Sequence, residues 1–433
     1  MQNQEFQKNE TKQGFFQSTT AKMIMVGLLT LILLIPLFFV QDLITERSQR
    51  QKEVVSETTS KWGESVYFYG PILKIPYKDP ITRQVENAYF FPENLTNVSN
   101  TEIKTPLQRS IYKSNVFTTK MNFSGNYVEP NFYKKSIPTE NVLWDRATIV
   151  IRTTNLKSVN DEVKIKIGSN NFTFEPVHNN QANDSIESLE TGYFNYNDLK
   201  NNNFSLKITY NGSKRISIVP IGKTTDAKMI SNWASPNFNG SFIPNEKKIT
   251  NKGFDSTWKI LHFNRPFAQE NFETLPELSK YAFAVDFITP VDEYQQNERA
   301  SKYGFLVIGL TFLIFFLIQS ISKINIHIFQ YSMIGIALIM FYTLLISITE
   351  HSSFSFAYVI AGTSVVALIS LYSISILKDK KFPMFIGISL SVLYTFIYVI
   401  IQLEDYALLV GSIGLFLILA SVMYFSRKIE WNK

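Results

Sequence analysis

The chain has 433 residues, a formal net charge of +6, no cysteine and only 4 histidines. The absence of cysteine excludes disulfides, thiolate metal ligands and cysteine nucleophiles. His178, His262, His327 and His351 lie in segments too far apart to suggest a metal site, so no metal or other cofactor is expected. The lysines are scattered rather than gathered into one basic stripe, which argues against a nucleic-acid partner.

Residues 1–21 are polar and without period, and they are expected to form a cytoplasmic tail. Residues 22–40 are apolar and long enough to cross a hydrocarbon core of about 30 Å, so they predict transmembrane helix 1. A signal peptide would need a small-x-small cleavage site, and Phe39, Val40, Gln41, Asp42, Leu43 and Ile44 offer none; the segment reads as an uncleaved anchor. Pro36 removes one helix hydrogen bond, which predicts a kink. Residues 41–61 are charged and rich in helix formers, the composition of a helical stalk.

From 62 to 303 the texture changes to short alternating runs separated by turn residues, the period-two signature of half-buried strands. Examples are 66–69, 72–75, 148–151, 163–167 and 283–287. Asn211-Gly212 between the runs 204–210 and 213–219 predicts a tight hairpin, since both turn residues would take positive φ. The pattern predicts a large mainly-β, sandwich-like extracytoplasmic domain, and any division into two lobes should fall in the polar stretch 178–203. Trp233, Pro236, Phe238, Gly240, Phe242 and Pro244 form an aromatic and proline-rich piece with two readings, a packed loop or a partner surface. The Asn-x-Ser/Thr sequons are explained by the abundance of Asn, Ser and Thr.

Residues 304–425 predict a five-helix transmembrane domain, with spans near 304–319, 329–348, 354–377, 382–403 and 406–425, and 426–433 form a second tail. The fold class is therefore an integral membrane protein with one N-terminal span, the β domain and five C-terminal spans. Six spans put both termini on one side. Lys378, Lys380, Lys381, Arg427, Lys428 and Lys433 lie at one set of span ends, while 349–353 and 402–405 carry no Lys or Arg. By the positive-inside rule the termini are cytoplasmic and the β domain is periplasmic.

No phosphate loop, His-Glu-x-x-His helix, Gly-x-Ser-x-Gly elbow or paired-cysteine zinc pattern occurs. The remaining polar candidates stand near span ends: Glu298, Arg299, Lys302 and Tyr303 before the second span, Gln319 at its end, His327, Gln330 and Tyr331 entering the third, and Glu350 with His351 leaving it. His327, Gln330 and Tyr331 share a helix face by their spacing. Interfacial anchoring and helix-to-helix hydrogen bonding compete with a functional role for all of them. The assumed orientation puts Arg299, Lys302 and Glu350 at the same face, which predicts an ion pair of Glu350 with Arg299 or Lys302.

In order along the chain, Glu46-Arg47, Trp62-Gly63, Gly70-Pro71, Pro76-Tyr77, the 233–244 piece, Gly253-Phe254 with Trp258, Lys302-Tyr303, Leu310-Thr311-Phe312, Phe341-Tyr342 and Glu350-His351 resemble the CreD family. The resemblance implies a bacterial inner-membrane protein with a large periplasmic domain, associated with a two-component regulon and with envelope stress or colicin tolerance. It does not supply a molecular activity. The chain departs from the family's pattern at Gln319, Ile328 and Ser110. Loss of a carboxylate at Gln319 argues against a proton relay there. The expected function is non-enzymatic support of cell-envelope integrity, with the lipid bilayer and an envelope protein, lipid or cell-wall component as partners. The alternative is a membrane transporter or lipid-handling protein using the polar residues at the span ends.

Overall fold

A computed structural model of the chain describes residues 19–177, 186–199, 201–287, 293–322, 324–377, 381–403 and 406–427. The chain divides into two compact units, Glu53–Pro290 and Met1–Lys52 with Val291–Lys433.

The chain enters through helix α1 (Thr19–Trp62), which continues past Pro36, and then forms the β unit. Its strands are β1 (Val66–Lys78), β2 (Val85–Phe90), β3 (Asn94–Ile103), β4 (Leu107–Arg109), β5 (Tyr112–Ser114), β6 (Val116–Asn126), β7 (Thr148–Thr153), β8 (Lys164–Ile167) and β9 (Asn170–Val177). They continue as β10 (Glu187–Thr191), β11 (Asn203–Ser213), β12 (Arg215–Ile218), β13 (Thr224–Ser231), β14 (Asn237–Gly240), β15 (Glu246–Thr250), β16 (Gly253–Leu261), β17 (Glu270–Phe272) and β18 (Phe283–Asp286).

The main sheet runs β14-β18-β12-β1-β7-β10-β9-β8-β11-β6-β3-β13-β16-β15, with β2 beside β1 and β17 beside β2. Strand β9 pairs with both β10 and β8, so one half of the sheet continues into the other. The halves fold face to face. Phe68 of β1 stacks on Phe123 of β6 with centroids 4.1 Å apart, and Trp258 of β16 stacks on Phe283 of β18 at 5.0 Å. Strand β3 alternates exposed and buried residues along its length, as a strand with one face on a core must. Most pairs are antiparallel, but β1 with β12 and β3 with β13 are parallel. The β unit is one sandwich-like body whose sheet is continuous through β9 and β10; residues 178–185 and 200 lie outside the described set.

The hairpin expected at Asn211-Gly212 does not form. Strand β11 runs straight through both residues in register with β6, pairing Asn211 with Thr118 and Gly212 with Phe117. The chain turns two residues later, at Lys214 with φ of 64°, and β12 joins the opposite half of the sandwich beside β1. Gly212 is small for packing reasons. A Cβ there would lie 2.5 Å from the Phe117 ring and 2.9 Å from Val66. The same junction receives the end of α1, where a Cβ on Gly63 would overlap the Asn211 carbonyl oxygen.

The membrane unit contains the first part of α1, α2 (Glu293–Lys302), α3 (Gly304–Ser322), α4 (Ile328–Thr349), α5 (Phe354–Leu377), α6 (Lys381–Gln402) and α7 (Ala407–Ser426). All except α2 are long and apolar enough to cross a membrane, six in total among the described residues. Sequential spans from α3 to α6 pack as neighbours, α3 also meets α6, and α7 lies against α6. Leu29, Leu33 and Leu37 form the buried face of α1. Leu33 approaches Gly335 and Leu37 approaches Gly304 so closely that a Cβ at either glycine would overlap the leucine. Small residues of this kind let membrane helices come together without a hydrophobic driving force.

Candidate functional site

The expectation that residues up to 303 belong to the β domain differs from the structure at α2, which groups with the spans. Helix α2 is polar in sequence, with Glu293 in its first turn and Arg299 and Lys302 in its last, charges that complement the helix dipole. It nevertheless buries Tyr294, Gln296, Asn297, Ala300 and Ser301. The 294, 297, 301 spacing makes one face, and that face packs on α4 and α6.

This produces a layer of polar groups in the membrane unit. Gln296 Nε2 donates to Gln402 Oε1 at 3.5 Å, Gln41 Nε2 of α1 donates to the Ser301 carbonyl at 2.9 Å, and Asn297 Nδ2 donates to the Glu293 carbonyl at 2.8 Å. Asn297 is fully buried, and its Oδ1 has no hydrogen-bond partner. Glu350 ends α4 with its side chain 15% exposed, 3.8 Å from Arg47 of α1. That separation makes an ion pair without a hydrogen bond, and Glu350 Oε1 has no donor of its own. Arg47 is 48% exposed, so the pair contributes about 0–1 kcal/mol.

The partner of Glu350 is therefore Arg47, and not Arg299 or Lys302. Lys302 is held by Glu298 one helical turn away at 2.9 Å, a spacing that α2 itself provides. Arg299 and His351 are exposed, and Tyr303 packs against the bundle core.

The trio entering the third span separates into two roles. His327 caps α4, its Nδ1 accepting from the Phe329 N–H at 3.2 Å, while Gln330 Oε1 accepts from the His327 N–H at 2.9 Å. Such reciprocal bonds satisfy donors that a helix start leaves orphaned. Tyr331 is buried, and its hydroxyl donates to Gln319 Oε1 at 3.1 Å, joining α4 to α3. Gln319 thus serves as an acceptor between helices.

Sequence reasoning missed Gln41, Arg47, Gln296, Asn297, Ser301 and Gln402. The signal was the period of α2, a polar segment whose 294, 297, 301 face precedes an apolar span. A second missed group lies among the spans, where the Tyr358 hydroxyl donates to the Tyr394 carbonyl at 2.8 Å and the Tyr398 hydroxyl contacts Ser355 Oγ at 2.9 Å. Among the described residues, no three His, Cys, Asp or Glu side chains are placed to hold a metal.

In the β unit, the 233–244 piece is a seam. The hydrogen-bonded order of the sheet begins at β14 and ends at β15, and these two edge strands are joined by residues 241–245. Phe238 meets Phe254 and Trp258 edge to face with centroids 5.7 and 6.0 Å away, and Trp258 Nε1 donates to the Phe242 carbonyl at 3.3 Å. Trp233 Nε1 donates to the Ser235 carbonyl at 2.7 Å. Gly240 has φ of 85°, a conformation that favours glycine. Pro236 and Pro244 are half-buried. Strand β14 is anchored through Asn239, whose Nδ2 donates to Asp286 Oδ2 at 3.2 Å; Asp286 is also gripped by Arg215. The aromatics of the piece pack on the core, while its backbone closes the gap between two sheet edges. Every residue of β15 is exposed, Ile249 at 46%, and Ile243 on the strap is 76% exposed.

A family model described as inner membrane protein CreD matches residues 18–432. Inner membrane protein CreD of Escherichia coli (strain K12) is 27% identical over 420 residues, covering 93% of this chain and 91% of that protein. Two solved structures show remote likeness. A putative nutrient binding protein from Legionella pneumophila is 11% identical with a TM-score of 0.25, over 58% of this chain and 80% of that one. An M1 zinc metallopeptidase from Deinococcus radiodurans is 8% identical with a TM-score of 0.22, over 79% of this chain and 95% of that one. Likeness at that level carries no inference about chemistry.

Proposed function

This chain belongs to the CreD family of inner membrane proteins, and on that premise we propose that it supports cell-envelope integrity or the envelope-stress response without enzymatic chemistry, its β unit binding an envelope component. The orientation that supports this reading puts the lysine-rich span ends in the cytoplasm and the β unit in the periplasm. The observation that carries it is the free edge β15, exposed at every residue and next to the strap that bears Ile243. An open edge strand presents unpaired backbone donors and acceptors, so an extended segment of a partner can add to it as a further strand. Lys247 and Lys248 on β15 keep that edge from pairing indiscriminately and favour an acidic or phosphate-bearing partner.

Complementation of a deletion strain under envelope stress tests the proposal. Replacing Ile243 and Ile249 together by Asp changes only exposed side chains, so the protein should fold and insert normally while envelope resistance falls to the level of the deletion. Full resistance in the double variant, or in a chain lacking residues 63–290, refutes the reading.

Transport or lipid handling is favoured by a different observation, the buried polar face of α2 with Asn297 Oδ1, and near the end of α4 Glu350 Oε1, accepting no hydrogen bond. Polar groups inside a membrane bundle often mark a pathway. Under that reading Glu350→Gln abolishes function; normal function of Glu350→Gln and His351→Ala variants counts against it.

A further inference from the structure

The dipeptide Asn-Gly occurs twice in the chain, at Asn211-Gly212 and at Asn239-Gly240. It has a chemistry of its own. When hydroxide takes the proton of the glycine amide, the nitrogen can attack the side-chain carbonyl carbon of the asparagine. The new C–N bond closes a five-membered imide and the side-chain nitrogen leaves as ammonia. Water then opens the ring at either carbonyl, giving aspartate or isoaspartate. The step needs a nitrogen that solvent can reach, held close to the carbon it attacks, and a residue without a Cβ to crowd the approach.

The two pairs sit in opposite circumstances. Asn211 Oδ1 accepts from Thr118 Oγ1 at 2.8 Å and from Asn160 Nδ2 at 3.1 Å, while its own Nδ2 donates to Asn160 Oδ1 at 3.0 Å. Gly212 is buried, so hydroxide does not reach its N–H. Asn239 and Gly240 are both exposed, on the strand with which the hydrogen-bonded order of the sheet begins. The Ser241 N–H donates to the Ala282 carbonyl at 3.0 Å, and bonded pairs alternate along an antiparallel ladder, so Gly240, opposite Phe283, turns its N–H to the open side of β14. There it donates to Asn239 Oδ1 at 2.8 Å. The nitrogen thus lies against the carbonyl group whose carbon it attacks. Only glycine suits residue 240, because its φ is 85° and a Cβ would overlap the Ala282 carbonyl oxygen.

The same side chain holds the strand. Asn239 Nδ2 donates to Asp286 Oδ2 at 3.2 Å, and Asp286, 4% exposed at its side chain, already has Arg215 as its cation. Conversion to aspartate removes that donor and sets a second carboxylate against the first, with one guanidinium between them. Conversion to isoaspartate adds a backbone carbon and takes Gly240 out of register with Phe283. Strand β14 has only four residues with which to resist.

We propose that Asn239 is a self-modifying site: Gly240 converts it to aspartate and isoaspartate, and the conversion releases β14 and the strap that follows it. The change is one-way, needs no enzyme, and is independent of what the β unit binds.

The test incubates the purified full chain in detergent at mildly alkaline pH and follows its peptides by mass spectrometry. The peptide with Asn239 should gain two products, heavier by the exchange of NH2 for OH, one of them a substrate for isoaspartate methyltransferase. The peptide with Asn211 should stay unchanged in the folded chain and convert only in urea. Asn239→Gln keeps the amide but cannot close the five-membered ring, and should lose the signal at that position. Asn239→Asp should be cut by trypsin after Lys247 and Lys248 several-fold faster than Asn239→Gln, since those lysines follow the strap on β15. No conversion at Asn239 in the folded chain while urea-unfolded chain converts, or equal conversion at Asn211 and Asn239 in the folded chain, overturns the modification. Equal cleavage of the two variants overturns the release of β14.

Discussion

Replacing Arg265 by Met should destabilise the β unit far more than any change on its surface. Arg265 is 3% exposed, and among the described residues no carboxylate pairs with it. Carbonyls take up its two terminal nitrogens, while Nε has no hydrogen-bond partner: Nη1 donates to Phe267 at 3.1 Å, and Nη2 donates to Ile221 at 3.1 Å and Gly222 at 2.9 Å, with the Gln269 side chain also accepting. The guanidinium also stacks on the Phe267 ring, 4.0 Å from its centroid. Burial pushes its pKa down to about 10, so it stays charged at neutral pH. Three charge-assisted bonds to carbonyls are worth about 5–9 kcal/mol gross. Removing the cation returns several kcal/mol of desolvation, and Ile221 and Gly222 keep weaker donors from Gln269 and Thr225. The net loss is then about 2–4 kcal/mol, a large share of the 5–15 kcal/mol that holds a domain together. Urea unfolding of the full chain in detergent, followed by tryptophan fluorescence, reads it through Trp258, which is 2% exposed in the same unit. Arg265→Lys should recover only part of the loss, because one ammonium lacks the fork that reaches several carbonyls. An Arg265→Met variant within about 1 kcal/mol of the parent would show that those carbonyls need no cation, and the reasoning would be wrong.

Gly212→Ala should lower the unfolding midpoint by the equivalent of about 1–3 kcal/mol, because its Cβ must displace Phe117 or Val66 in a closed core; an unchanged midpoint would contradict the packing role. At high pH the buried tyrosines of the β unit should dominate stability. Burial raises the pKa of Tyr69, Tyr127 and Tyr210, and pushes that of Tyr196 up to about 12. Their contribution is complete below pH 10, the unfolded value, and declines as pH rises from there, since only the unfolded chain releases those protons. Stability should fall between about pH 10 and 12 by up to 1.4 kcal/mol per pH unit for each tyrosine that keeps its proton in the fold. Exposed tyrosines such as Tyr133 and Tyr193 give tyrosinate absorbance near pH 10 in the folded protein, and the remaining absorbance should appear only in step with unfolding; full tyrosinate absorbance near pH 10 before unfolding would refute the assignment.

The spans were legible because twenty apolar residues in a row admit few alternatives, and the strands because alternation survives in sequences such as β8 and β11. What failed was local chemistry overruled by distant partners. Asn211-Gly212 carries a strong turn signal, yet Phe117 and Val66 determine what residue 212 must be, and neither is near it in sequence. His327 and Gln330 share a spacing that suggests a site, but spacing cannot tell a reciprocal cap from a binding pair. Glu350 was visible as a candidate while its partner was not, because Arg47 lies on the other side of the whole β unit in sequence. The 233–244 piece was conspicuous for its composition; that it joins the two ends of a sheet follows only from strand order.

That strand order also bears on how the protein is made. Val66, Tyr67 and Phe68 of β1 pair with Ile216, Ser217 and Ile218 of β12, and β12 is in turn covered by β18. A growing chain delivers β1 first and its parallel partner only after most of the β unit has followed. Until then one of the most apolar strands of the molecule has an unpaired edge, the state in which strands associate with the wrong neighbour. Slow delivery of residues 79–214 should therefore harm yield more than a comparable delay in the spans.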